Sequence, residues 1–401
     1  DSRVFSQRYF EFLDYFQPQQ GPIFLALCGE STCRGGYQRT AQALAKSLGA
    51  AVVTIEHRYY GQSYPFQNFS YKNLKYLTTQ QALYDYALFI EYYQNLINLR
   101  YNKQGKNPWI VVGGSYAGAL SAWFRLKFPH LVVASWASSG VVEAVLEYSA
   151  YDEQIGISVG PECKKALQEI TKLAEEGLVT NATAVKSVFF AQKLRDDDFL
   201  SLVADIAAGF VQYGAIDMLC PPLLEAIQNK TDLLMAYARI GGVDSSSSDF
   251  YDAYKLRRQA EANDISAKDT MSWNYQICTE LAYFQVAPTN DSIRSSRINL
   301  HVTSCCYVLD YIDICAVLFG PNTFPDVSAA NWNYGGRDIA SSRIIFLNGS
   351  QDPWQHASKT TFSPGEPSFV LTCESCAHCE DLSMDCSSDI GNALIHDHPC
   401  V

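Results

Sequence analysis

The stretch VVGGSYAGA, Val111 to Ala119, decides how this chain is read. It is the hinge of a longer segment, PWIVVGGSYAGALSAWFRLKFP (108–129), in which an apolar run meets a glycine turn and then a helical pattern. Gly113-Gly114-Ser115-Tyr116-Ala117 is a variant of G-x-S-x-G, with alanine in the last place. Small residues on both sides of the serine let a strand and a helix pack closely. The sharp turn between them lifts the hydroxyl above the sheet's carboxyl edge. The next amide, that of Tyr116, points at the same spot and can stabilise a developing oxyanion. By itself the pattern also fits an ordinary glycine-rich turn that happens to contain a serine.

The surroundings favour a parallel sheet. GPIFLAL (21–27) is an apolar run bounded by turn residues, and AAVVTIEHRYYG (50–61) is β-branched. Between them RTAQALAKSLG (39–49) reads as a helix closed by glycine. In TTQQALYDYALFIEYYQNLINL, Thr78 and Gln81 form a capping box. Ala82, Tyr86, Phe89, Ile90, Tyr93 and Ile97 then share one helical face. HLVVASWASSG (130–140) supplies another strand. Strands separated by helices imply βαβ units. After about Val141 the pattern turns helical, and strand signals return at SRIIFLNGS (342–350) and PSFVLTC (367–373). The expected organisation is a first part over 1–141, a mostly helical cap over 142–335, and a second part over 336–401 that rejoins the sheet.

A hydroxyl needs a base to take its proton. In α/β-hydrolases the order is Ser, then Asp or Glu, then His. Asp352 follows the apolar run of IIFLNGSQDPW, and His378 follows the next strand-like run in FVLTCESCAHCEDL. His356 is too near Asp352 to lie in a separate loop, and His396 and His398 follow no strand. His130 and His301 complete the downstream histidines, with His57 upstream. Order, spacing and strand context select Ser115, Asp352 and His378.

The 401 residues are 48% hydrophobic, enough for a sizeable core, and carry a net charge of −12. No Lys/Arg cluster stands out, which argues against a nucleic-acid partner. No apolar run is long enough to span a membrane. Thirteen cysteines and N-x-S/T sequons at Asn68, Asn181, Asn229, Asn290 and Asn348 favour the secretory pathway, with a signal peptide removed in maturation. Cys373, Cys376, Cys379 and Cys386 around His378 resemble a zinc knuckle. In an oxidising compartment they pair as disulfides instead, and a ligated His378 would be lost as a base. No metal or cofactor is expected. An odd cysteine count leaves at least one unpaired within the chain.

The chain resembles the serine peptidases that include lysosomal Pro-Xaa carboxypeptidase, dipeptidyl peptidase II and thymus-specific serine protease, with most likeness to the thymus-specific and plant-type branch. QRYFEFLDYF, EHRYYGQSYPF, LTTQQALYDYA, GGSYAGALSAWFRLKFPH, WNYQICTE, NGSQDPW and AHCEDL carry the likeness, in the family's order. The resemblance implies an α/β-hydrolase domain with an inserted helical cap, and peptide cleavage after proline in a lysosomal, vacuolar or secreted setting. It implies Ser115 as nucleophile, Asp352 as orienting acid and His378 as base. Tyr116 and Gly29 are the expected oxyanion donors. Glu30, Ala119, Trp273 and Trp354 are the expected substrate contacts. Ala117 and Ala119 stand where the prolyl enzymes carry glycine and methionine, which implies a wider pocket. Peptide or protein substrates are the expected partners; homodimerisation stays open. Asn68, Asn181, Asn229 and Asn290 are the expected glycan sites. A lipase or esterase on the same fold, or a hydrolase-fold binding protein, are the competing readings.

Overall fold

A computed structural model describes residues 4–35, 39–244, 246–247, 251–300, 311–373 and 375–383. Nine strands occur among them: β1 (Tyr9–Phe12), β2 (Ile23–Leu27), β3 (Ala51–Ile55), β4 (Trp109–Gly114), β5 (Ala134–Ser138), β6 (Val145–Glu147), β7 (Ala282–Phe284), β8 (Ile344–Gly349) and β9 (Ser368–Leu371). Seven of them form one sheet in the order β1-β3-β2-β4-β5-β8-β9. All its pairings are parallel except β1 with β3, which is antiparallel.

The central strands β2 and β3 are buried at every position, as apolar strands covered on both faces must be. Their side chains alternate between two layers. Ile23, Leu25, Val53 and Val111 face the larger core with helices Thr79–Arg100 and Tyr116–Lys127. Phe24, Val52 and Val112 face the smaller one, with Ala41 and Ala45 of helix Arg39–Leu48. From β2 the chain runs outward to β3, then crosses back to β4 on the other side. The crevice between the carboxyl ends of β2 and β4 is therefore a topological switch point, where open α/β sheets bind ligands.

β1 is a strand that hydrophobic patterning misses. It has four residues, none fully buried, and is held by pairing with β3 at the sheet edge. The Thr78 hydroxyl accepts the Gln81 N–H at 3.2 Å, as expected of a cap, but the reciprocal half of the box is absent. The Gln81 amide oxygen instead accepts from Arg58, whose guanidinium is paired with Asp85.

Between β5 and β8 the chain is dominated by helices, including Ala150–Ser158, Gly160–Val188, Asp196–Gln212, Ile216–Gln228, Leu233–Ile240, Ala253–Glu261 and Ile265–Gln276. β6 and β7 add a two-stranded parallel ribbon within this region. The Cys163–Cys220 disulfide ties its second and fourth helices. Arg294, wholly buried, bonds Asp152 at 2.8 Å and Asp205 at 2.9 Å, so its charge is neutralised inside the helical layer. Further disulfides join Cys28 to Cys33, Cys278 to Cys315 and Cys373 to Cys376.

Candidate active site

Ser115 sits between β4 and helix Tyr116–Lys127 with φ 59° and ψ −128°, a backbone conformation that costs a non-glycine residue energy. Its N–H donates to Ser138 O at 3.0 Å, at the end of β5. The side chain of Gly113 would collide with the helix, since a Cβ there would lie 2.1 Å from Ala117 O. Strand and helix thus meet backbone to backbone at Gly113.

The turn that carries His378, around Ala377–Leu382, settles onto the ends of two strands. A Cβ on Gly114 would meet Cys379 Sγ and Leu382 Cδ1, each at 2.9 Å. A Cβ on Gly349 would meet Cys376 O at 2.2 Å and Ala377 O at 2.4 Å. Two glycines, one next to Ser115 and one three residues before Asp352, therefore make room for the same loop. The loop is fastened there. Cys379 N–H donates to Ser139 Oγ at 2.9 Å, and Gln351 N–H donates to Cys376 O at 2.9 Å. The buried Asp381 carboxylate accepts from Trp136 Nε1 at 2.8 Å and from the Ser138 hydroxyl. Burial pushes that carboxyl up to about 6.

His378 Nδ1 lies 3.0 Å from both carboxylate oxygens of Asp352, which is wholly buried. Asp352 also caps the short helix Pro353–Ala357, accepting the Trp354 N–H at 2.8 Å. Nε2 of His378 is buried and has no hydrogen-bond partner among the described residues. Burial, the largest single influence, opposes charge on the ring, but the Asp352 carboxylate and Cys379 together hold the imidazole well above its ordinary value.

Beside the serine turn is a cavity of about 230 Å³, lined among others by Gly29, Glu30, Thr32, Gly114, Ala117 and Cys379, but not by Ser115, Asp352 or His378. It lies at the switch-point crevice. Gly29 lies in van der Waals contact with the start of helix Tyr116–Lys127, since a Cβ there would be 3.5 Å from Ala117 N. The buried Glu56 holds this loop from behind, accepting from Cys33 N–H, Gln62 N–H and the Ser63 hydroxyl and pairing with Arg8. Glu30 is half-buried, and desolvation raises its carboxyl above the usual range.

Trp354 stands at the heart of an aromatic wall. Its ring centroid lies 5.4 Å from Tyr148, 5.0 Å from Tyr151, 5.6 Å from Tyr283 and 6.2 Å from His378. Gln212, at the end of a long helix, organises it. Its amide oxygen accepts from Trp354 Nε1 at 3.0 Å and from the Tyr151 hydroxyl at 2.8 Å. Its backbone oxygen accepts the His378 N–H at 3.0 Å. Tyr283 follows the π-helix Ile277–Leu281, and both Ala282 and Tyr283 have φ near 60°. Strain and a π-turn together mark this segment as one held in place by its surroundings. Sequence reasoning missed Tyr148, Tyr151, Gln212 and Tyr283, which lie in separate segments with no shared local pattern.

Other expected contacts fall differently. Ala119 is wholly buried, and its N–H donates to Ser115 O in the helix. It packs in the core and touches no described cavity, so its expected place beside the pocket is corrected; Ala117 takes that place. Trp273 packs its ring 5.5 Å from that of Tyr116. Beneath it runs a directed chain: Tyr60 OH donates to Gln276 Oε1, Gln276 Nε2 to Tyr116 Oη, and the Tyr116 hydroxyl meets His57 Nε2 at 3.2 Å. Burial pushes His57 down to about 4, so the ring is neutral, and its Nδ1–H donates to Arg58 O. The WNYQICTE element therefore braces helix Tyr116–Lys127 from the cap side.

Cys373 and Cys376 are bonded to each other and Cys379 is a free thiol, which leaves these three without the thiolate set of a zinc knuckle. Cys386, His301, His396 and His398 lie outside the described residues. Asn68, Asn181, Asn229 and Asn290 are exposed. Asn348 is buried and donates to Lys359 O, so a glycan has no room there.

A parallel sheet with a strained serine turn at its switch point and a helical insertion defines an α/β-hydrolase. The family model for serine carboxypeptidase S28 matches residues 1–395, and the chain belongs to that family of serine-type peptidases. It is 47% identical over 394 residues to the probable serine protease EDA2 of Arabidopsis thaliana, covering 95% of this chain and 78% of that one. It is 29% identical over 428 residues to the thymus-specific serine protease of Homo sapiens, covering 97% and 80%. Lysosomal Pro-X carboxypeptidase of Homo sapiens is 28% identical over 391 residues, covering 89% and 75%. Among solved structures, proline iminopeptidase of Mycobacterium smegmatis aligns with 94% of this chain and 93% of its own, at 12% identity and a TM-score of 0.38.

Proposed function

We propose that the chain hydrolyses peptide bonds through an acyl-enzyme, with Ser115 as nucleophile, His378 as base and Asp352 as the orienting acid. The observation that carries this is the state of His378. Nδ1 is committed to a buried carboxylate, and Nε2 is buried without a hydrogen-bond partner among the described residues. That is the arrangement a general base needs. His378 takes the Ser115 proton as Ser115 Oγ attacks the scissile carbonyl. Asp352 keeps the tautomer and stabilises the imidazolium. The Tyr116 and Gly29 amides receive the oxyanion. The imidazolium then protonates the leaving amine, and water repeats the sequence to free the acid.

The aromatic wall around Trp354 supports preference for a proline or a small residue before the scissile bond, since flat rings suit a flat, apolar side chain. The printed name of the Pro-X carboxypeptidase relative points the same way. Four disulfides among the described residues, four exposed sequons, and relatives named as lysosomal or extracellular support a secreted, lysosomal or vacuolar site.

Ser115→Ala is expected to lower kcat by several orders of magnitude, roughly 10⁴-fold or more, with an unchanged melting temperature. Fluorophosphonate labelling should follow the same pattern. Near-normal hydrolysis by the variant would sink the assignment.

A further inference from the structure

One helix of the cap buries a polar face. In helix Ile265–Gln276, Asp269, Ser272 and Gln276 recur at i, i+3 and i+7, so they share a side, and all three are buried. Burying such groups is costly unless each finds partners. Each does, and every partner lies in the first 141 residues, on the sheet side of the interface. The Asp269 carboxylate accepts the Thr32 N–H at 2.7 Å, the Thr32 hydroxyl at 2.6 Å and the Gly61 N–H at 2.8 Å. The Ser272 hydroxyl donates to Tyr59 O at 3.0 Å. Gln276 accepts from Tyr60 OH at 2.6 Å and donates to Tyr116 Oη at 2.6 Å. A turn further on, Glu280 accepts the Thr79 N–H at 2.9 Å and its hydroxyl at 2.6 Å.

Two of these grips fall on the segments that carry the expected oxyanion donors. Thr32 follows Gly29 by three residues, inside the loop closed by the Cys28–Cys33 disulfide. Tyr116 opens helix Tyr116–Lys127, and the first N–H groups of a helix have no acceptor within it. The Tyr116 hydroxyl is held through both its proton and its lone pair. His57 Nδ1–H donates to Arg58 O, so Nε2 accepts; the hydroxyl donates to it and accepts from Gln276. The ring itself lies 5.6 Å from that of His57 and 5.5 Å from that of Trp273, centroid to centroid. A side chain gripped this way leaves its own backbone N–H little freedom of direction.

Resting on the peptidase reading above, we propose that Asp269 and Gln276 are positioning residues of the oxyanion site: one helix face of the cap sets the separation and aim of the Gly29 and Tyr116 amides. Both residues act through those amides and not on the substrate. Fixed donors stabilise a developing charge only when aimed at the place where it forms, and a small displacement forfeits much of the gain. The two grips are seven residues apart on one rigid helix, roughly 10 Å along its axis. The cap thereby ties together two segments that the sheet holds separately, and turnover depends on its being seated.

The test uses the full chain and two substrates: the ethyl ester of a short peptide ending in proline, and its thionoester, in which sulfur replaces the carbonyl oxygen. Sulfur accepts hydrogen bonds weakly, so the oxygen-to-sulfur ratio of kcat/KM measures what the oxyanion donors contribute. Rates are counted per Ser115 labelled by fluorophosphonate, which removes unfolded molecules from the comparison. The wild type is expected to favour oxygen by about 100-fold or more. Gln276→Ala should lower that ratio about tenfold, and so should Tyr116→Phe, which keeps the amide and removes only the gripped hydroxyl. The double variant should fall no further, because Gln276 acts through that hydroxyl. Asp269→Asn should lower the ratio by itself and combine multiplicatively with Gln276→Ala, because the two residues aim different amides. A wild type indifferent to sulfur overturns the proposal. So do Gln276→Ala and Tyr116→Phe variants that slow both esters alike, which would mark a purely structural role, and so do independent effects of those two substitutions. Failure of the wild type to cut either ester or any peptide, with Ser115 unlabelled, overturns the peptidase reading itself.

Discussion

The two sides of the site are built from different materials. Ser115 is positioned by backbone: a left-handed φ, a hydrogen bond to Ser138 O, and glycines that let a strand and a helix touch. His378 is positioned by convergence. It takes Asp352 from the end of β8, a carbonyl from Gln212 in the helical layer, and a neighbouring turn pinned by Ser139, Trp136 and Ser138 at the end of β5. A serine held by local backbone is robust to what surrounds it. A histidine held by several segments reports on all of them.

The sharpest way to break the convergent side is Asp352→Asn. It should lower kcat by about 10⁴-fold, because the amide orients the wrong tautomer. The pH profile carries a second signature. Since Asp352 raises His378, falling pH protonates the base and removes its function, so kcat/KM of the wild type should climb from pH 5 through the neutral range. Removing that carboxylate lowers the imidazole, and the residual activity of the variant should have its acid limb at lower pH. An unmoved limb would mean that another group titrates.

Gly349→Ala tests the seat of the base turn without touching a reacting group. The added Cβ, 2.2 Å from Cys376 O, must push the turn away, costing roughly 1–3 kcal/mol in denaturant titration. Activity should fall about 10- to 100-fold through kcat, as expected for a base displaced by a fraction of an ångström to an ångström. An alanine that leaves both stability and kcat intact would show that the turn has slack.

Gln212→Ala sharpens the contrast between wall and base. It strips the acceptor from Trp354 Nε1 and Tyr151 OH but keeps the backbone oxygen that holds His378. Orphaning two donors costs about 1–3 kcal/mol of order in the wall, so KM should rise up to about tenfold with kcat nearly constant. A matching drop in kcat would mean that wall and base move as one body.

Much of this was legible along the chain. The apolar strands β2 to β5 and β8, the helix over 79–100 and the serine turn announce themselves through local patterning. So do the late positions of Asp352 and His378. β1 did not, because its stability comes from pairing with β3 and not from burial of its own side chains. Ala119 was misjudged because helix phase, not sequence distance from the serine, decides which alanine faces the cavity; Ala117 does and Ala119 does not. Asn348 satisfies the sequon pattern yet lies at 1% exposure inside β8.

What the sequence determined by itself is the set of parts: a serine on a strained turn, an aspartate and a histidine after the next two strands, and cysteines and sequons suited to an oxidising compartment. These follow from short-range chemistry, since turn sterics and hydrophobic period act over a few residues. What only the tertiary structure decided is their company. Gln212 meets Trp354 and His378 across 142 and 166 positions of chain, and Tyr148 and Tyr283 close on the same indole. The reason is physical: a side chain's partners are set by how layers stack, and packing brings together residues that no local pattern links.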